Sequence, residues 1–199
     1  MSFKQNGYCV SKTAISKELA NFCYEYLKIK RTAVDVLFRA KYIGPYTDFM
    51  GTWKDPQAPQ TYSHYGDSVM ETLLLKLKPL MEKETGLKLF ETYSYCRLYK
   101  RGDVLKKHKD RHSCEISTTM HLGGEKWPIH VEGVKVNLNV GDMLIYRGCE
   151  LLHWRDRLEG NDCAQVFLHY NDASKPDAEL NRWDGRPHLG LPASLKIKR

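Results

Sequence analysis

None of the six cysteines, Cys9, Cys23, Cys96, Cys114, Cys149 and Cys163, has a CxxC partner. That argues against a zinc knuckle, and their scatter outlines no disulfide framework, so reduced thiols are expected. The opening stretch MSFKQNGYCVSK lacks the apolar run of a signal segment, and no window approaches the uninterrupted apolar length of a membrane span. A cytoplasmic protein with no membrane partner is the expectation. Repeats and low-complexity tracts are absent too, which removes solenoids and disordered arrays.

What is present is a chain of 199 residues, long enough to bury a sizeable core. It is expected to be one domain over residues 1–199, with a helix-rich flank (1–88), a β core (90–172) and a tail (173–199). The formal net charge is +7, with contributions from Lys28-Ile29-Lys30-Arg31, from Lys100 to Arg111 and from Lys196 to Arg199. Such a balance favours an anionic cosubstrate or an acidic partner and allows weak nucleic-acid contact. The basic runs lie far apart in the chain, however, which is the pattern of a solvated surface.

Tyr8-Cys9-Val10 is expected to be a short strand, with Ser11 or Thr13 capping a helix over Ala14 to Lys28. Its stripe is Ile15, Leu19, Phe22, Cys23, Tyr26 and Leu27. From Tyr42 to Tyr65, Gly44-Pro45, Pro56 and Pro59 among aromatic residues predict a long loop that could border a site. Asp67 or Ser68 then caps a second helix, Ser68 and Glu71 having the spacing of a capping box, and Gly86 stops it.

After Gly86 the apolar period changes from about 3.6 to 2. Tyr93, Tyr95, Arg97 and Tyr99 share one face of a strand. Glu115, Ser117, Thr119 and His121 oppose Ile116, Thr118, Met120 and Leu122 on another, and Cys163, Gln165, Phe167 and His169 oppose Val166, Leu168 and Tyr170 on the last. A hairpin spans Ile129 to Leu138, and Gly141-Asp142 turns into Met143-Leu144-Ile145-Tyr146. Roughly seven or eight short strands preceded by two helices predict an antiparallel barrel or jelly roll with helices packed on one sheet.

His108-Lys109-Asp110 closes one of these strands. A histidine and a carboxylate two residues apart point the same way and can grip one ion from one side, and His153 stands 45 positions further on, before the final strand. Two neutral imidazoles and a carboxylate on one face of an octahedral ion leave its other positions open, as a non-heme Fe(II) oxygenase requires.

From Phe90 to Asp172 the order of Tyr99, Gly102, His108-x-Asp110, Gly141-Asp142, His153 and a final strand resembles the Fe(II)/2-oxoglutarate-dependent dioxygenases of the prolyl 4-hydroxylase-like group. The resemblance implies a double-stranded β-helix with His108, Asp110 and His153 as iron ligands. It further implies 2-oxoglutarate as cosubstrate and O2 as oxidant, with a place for ascorbate. The reaction would be hydroxylation of a C–H bond with release of succinate and CO2, the substrate being a peptidyl or prolyl side chain or a small molecule.

One position departs from that pattern. Relatives carry Arg or Lys nine or ten places after the distal histidine, to pair with the far carboxylate of 2-oxoglutarate; here the slot falls on Cys163, and a thiol is no substitute for a guanidinium. Arg97 and His121 are the candidate replacements, with Tyr99, Thr119 and Gln165 as hydrogen-bond partners, and Arg97 is favoured. Pairing of Arg97 with Glu115 across strands is equally open, as are plain packing for Tyr95 and Tyr99 and a core role for His169. Arg155 and Arg157 are alternatives for that carboxylate if the loop after His153 folds inward and are otherwise expected on the surface, with Arg147 and Trp154 at the mouth of the site. A metal-binding cupin-like module without turnover, or an oxygenase of modified nucleic acid, are the alternative functions.

Overall fold

Amphipathic patterning in the first 88 residues yields two long helices. In the computed structural model, which describes residues 2–44 and 47–196, a single turn α1 (Phe3–Asn6) precedes strand β1 (Tyr8–Ser11) and helix α2 (Lys17–Arg39). Pro45 of the irregular stretch and the last three residues of the basic tail fall outside the described residues. Ser16, rather than Ser11 or Thr13, caps α2, its hydroxyl accepting from the Leu19 amide at 3.1 Å. The helix also runs well past Lys28, since no glycine or proline intervenes before Gly44. Ala20, Cys23, Leu27 and Val34 form its buried stripe, while Phe22, expected in that stripe, is exposed.

The long irregular segment ends in a strand, β2 (Tyr62–Tyr65), before helix α3 (Ser68–Thr85). The strand lies within the expected loop because its edge pairs with a longer partner further along, a non-local contact invisible to patterning. Asp67 caps α3, with Oδ1 accepting from the amides of Val69 and Met70 at 2.9 and 3.1 Å. Glu71 does not complete a capping box: it is buried, its carboxylate 2.7 Å from Arg186 Nη2 of the tail and accepting from the Gly190 amide. Gly86 ends α3 at φ 73°, a left-handed conformation that glycine adopts without a Cβ clash.

The period-2 region supplies β3 (Leu89–Lys100), β4 (Leu105–His108), β5 (Ile116–Gly124), β6 (Ile129–Val131), β7 (Val134–Val136), β8 (Met143–Arg147), β9 (His153–Arg155) and β10 (Asp162–Asp172). Among the described residues the strands form two antiparallel sheets, ordered β1-β8-β5-β10-β3-β2 and β4-β9-β6-β7. This is the expected jelly-roll arrangement, a double-stranded β-helix with helices on one side.

Alternation along the strands sorts the residues between two environments. Met120, Leu122, Val166, Leu168, Cys96 and Leu98 face the helices and pack with Leu27, Leu74, Leu77 and Met81. The opposite face of the same strands looks into the barrel. There the register puts Gln165 beside both Arg97 and His121, and Phe167 beside Tyr95. The tail is held by buried charge: Arg186 pairs with Glu71 at 2.7 Å, and Asp184 with Arg111 at 2.6 Å.

Candidate metal centre

Antiparallel pairing of β4 with β9 sets His108 directly opposite His153, which is how two histidines far apart in sequence become neighbours. Their rings lie 4.2 Å apart between centroids. Asp110, just beyond β4, is fixed by its own amide, which donates to the Gly148 carbonyl at 2.8 Å. Its Oδ1 then stands 3.5 Å from His108 Nε2 and 3.4 Å from His153 Nε2. The three donor atoms all fall within 4.8 Å of one another, the one such His/Cys/Asp/Glu group of three or more among the described residues.

The remaining ring nitrogens are already engaged. His108 Nδ1 lies 2.7 Å from the Lys106 carbonyl and His153 Nδ1 lies 3.0 Å from that of Leu151. A carbonyl only accepts, so each Nδ1 carries the proton and each Nε2 lone pair faces its neighbours. Ser117 donates to Asp110 Oδ2 at 2.8 Å and lies 2.9 Å from His169 Nδ1. Burial opposes the charge on Asp110, but the two imidazoles beside it, His108 foremost, outweigh burial and hold the carboxyl well below the usual carboxylate range. Two neutral nitrogens and one carboxylate oxygen, oriented by partners of their own, fit a divalent iron ion and leave half its coordination free.

Gly148 escaped the sequence-level search. A Cβ there would sit 2.4 Å from Asp110 Oδ2 and 2.3 Å from the Cys114 carbonyl, so any side chain would push the carboxylate away. Only the close approach of the chain segments reveals this.

A cavity of about 430 Å³ opens beside the triad. Tyr146 and Phe167 supply apolar wall, Arg97 and His169 polar wall, and Asp55 to Gln57 of the irregular segment one side. His169 is therefore both buried and on the cavity, and burial draws its pKa down to about 4. Arg97 reaches the cavity with its charge already matched: Nε meets Asp55 Oδ2 at 2.7 Å, Nη2 donates to Gln57 Oε1 at 2.7 Å, and Nη1 donates to Tyr99 at 3.0 Å. Pairing with Glu115 does not occur, because Glu115 sits just before β5, away from the strand residues that face Arg97, and binds Lys175 at 2.6 Å.

Tyr99, His121, Cys163 and Gln165 are absent from that cavity wall and pack deeper in the barrel. His121 Nδ1 lies 3.2 Å from Gln165 Nε2, and burial, then the charge of Arg155, pull His121 down to about 4, so it is neutral. Arg155 contradicts its expected surface position: it is 0% exposed, because two residues along β9 return to the face that carries His153. Strand alternation from His153 could have found it. Arg157 is exposed, as expected.

The two residues expected at the mouth lie elsewhere. Trp154, one place from His153, points to the outer face, where it stacks on His130 at 5.0 Å under Lys107. Arg147 covers Phe3 and pairs with Glu150 at 3.4 Å.

No protein-family model matches the chain, and no curated protein matches it. Solved structures do match in shape. HygX from Streptomyces hygroscopicus, with nickel, 2-oxoglutarate and hygromycin B bound, has a TM-score of 0.63 at 14% identity, over 98% of this chain and 92% of that one. A prolyl-4-hydroxylase from Pseudomonas putida has a TM-score of 0.59 at 12% identity, over 86% and 96%. The collagen prolyl hydroxylase of Paramecium Bursaria Chlorella virus-1, in its 2-oxoglutarate complex, has 0.54 at 12%, over 84% and 97%. With its two antiparallel sheets closed around His108, Asp110 and His153, the chain shares the double-stranded β-helix fold of the 2-oxoglutarate–Fe(II) oxygenases.

Proposed function

We propose that this protein is an Fe(II)- and 2-oxoglutarate-dependent oxygenase hydroxylating a C–H bond of a small organic molecule. The observation that carries the reading is the triad itself: Asp110 Oδ1 within 3.5 Å of two histidine Nε2 atoms whose Nδ1 positions are both bound to carbonyls. Bound iron, with 2-oxoglutarate and O2, would supply the oxidising power, releasing succinate and CO2.

The chain's own residues do the rest. His108, Asp110 and His153 hold the ion from one side, and Ser117 keeps Asp110 Oδ2 occupied so that Oδ1 stays turned toward the histidines. Tyr146, whose ring lies 4.8 Å from that of His153, and Phe167 keep water from that side of the cavity. Asp55, Pro56 and Gln57 close another side, anchored through Arg97 and Tyr95. A half-open cleft of about 430 Å³ has room for a compact molecule.

The test is consumption of 2-oxoglutarate by the Fe(II)-loaded protein in air with ascorbate present, read as succinate formed. Loss of succinate in His108→Ala and Asp110→Ala is expected. Gain of one oxygen on a member of a metabolite pool supports the small-molecule assignment, and gain on a peptide library overturns it. Metal binding without any affinity for 2-oxoglutarate overturns the oxygenase and leaves a non-catalytic metal module.

A further inference from the structure

Arg155 is a fully buried guanidinium that, among the described residues, is paired with no carboxylate. Two of its five N–H donors have partners: Nη1 donates to the Trp127 carbonyl and Nη2 to Thr119 Oγ1 at 3.0 Å. Its Nε is buried with no hydrogen-bond partner among the described residues. Every other deeply buried arginine named above is neutralised, Arg97 by Asp55 and Arg186 by Glu71. An unmatched cation out of water is costly, so a fold that keeps one has a use for an anion there.

Its place tells which anion. Arg155 lies on the same face of β9 as His153, about 7 Å along the strand from a residue of the triad. Its charge is felt by Tyr146, which lines the cavity, and by Tyr99 and Cys163, which, like Arg155 itself, lie deeper than the cavity wall. The cation thus enters the barrel from the smaller sheet and reaches the neighbourhood of Cys163 on the larger one, the position where the chain has a thiol instead of a basic side chain.

We propose that Arg155 holds the far carboxylate of the 2-oxo acid cosubstrate, so that the anion anchor sits on β9 with the distal histidine rather than on β10. The proposal rests on the oxygenase reading above. It replaces Arg97, whose guanidinium is committed to Asp55 and Gln57. Thr119, which already accepts from Nη2, holds the guanidinium plane in place.

Protein loaded with Ni(II), which does not turn over, is titrated calorimetrically with 2-oxoglutarate and with 2-oxopentanoate, the same chain without the far carboxylate. Wild type is expected to prefer the diacid by about a hundredfold, and Arg155→Met to lose that preference while keeping its affinity for Ni(II) and for 2-oxopentanoate. Arg157→Met, an exposed neighbour, is expected to behave as wild type. An undiminished preference in Arg155→Met overturns the proposal and leaves the oxygenase reading standing; wild type that binds Ni(II) but neither acid overturns both. Should the methionine variant fail to fold, Arg155→Lys keeps a charge but loses the fork and is expected to lower the preference about tenfold, an unchanged preference again overturning the proposal.

Discussion

Ser117 is where the metal site meets the barrel interior: one hydroxyl within 2.9 Å of both Asp110 Oδ2 and His169 Nδ1. Its removal frees the carboxylate to rotate, so Ser117→Ala is expected to lower Ni(II) affinity about 10- to 100-fold with little loss of stability, checked by calorimetry. Gly148→Ala acts on the same oxygen by steric displacement and is expected to cost at least as much affinity. His121 gives a residue-scale pH dependence. In the unfolded chain it titrates near 6.5, whereas burial, followed by Arg155, brings it to about 4 in the fold. Protonation therefore favours unfolding. The contribution is whole above about pH 6.5 and is lost as pH falls toward 4, by roughly 3 kcal/mol at the acid end. A urea-midpoint series across that range should show a shallower acid slope for His121→Gln than for wild type. The His-x-Asp pair was legible in sequence because it is local; Gly148 and Ser117 were not, since their importance comes from distances between segments.

At the scale of elements, the helices depend on Asp67 more than on their own propensities. One of its carboxylate oxygens caps α3, while the other accepts from Tyr26 at 2.7 Å and from Lys30, both on α2, and lies 3.1 Å from His64 Nδ1 on β2. Burial works against its ionisation, but hydrogen bonds from His64 and Lys30 hold its pKa well below the usual range. Asp67→Ala removes the cap and strands Lys30, an expected loss of about 3 kcal/mol in the denaturant midpoint. Substitution of Ser68, the other expected cap, is expected to change stability by less than about 0.5 kcal/mol, since its side chain is exposed. Helix existence and the Gly86 stop were readable from periodicity and glycine placement. The end of α2 and the strand hidden in the irregular segment were not, because packing and non-local pairing decide them.

Across the whole molecule the metal site is a joint. His108 and Asp110 come with β4, His153 with β9, and Asp110 is tied through Gly148 and Ser117 to the larger sheet. An ion bound there links both sheets only when they are folded. Ni(II) at about a hundred times its dissociation constant is therefore expected to add about 2.7 kcal/mol of stability, and His153→Ala to abolish the gain, measured as a melting-temperature shift. By itself the sequence determined the two helices, the change to period 2, the inward and outward faces of the longer strands and the candidate His-x-Asp pair. Those are local properties, set by spacing of four residues or fewer and by which side chains avoid water. Tertiary structure alone decided that Arg97 is neutralised by a segment some 40 residues upstream and that Arg155 is buried with no carboxylate partner among the described residues. It likewise brought Cys163 within electrostatic reach of that cation. Charge matching in a barrel depends on which strands cross, and crossing is settled by long-range pairing that no short stretch of chain encodes.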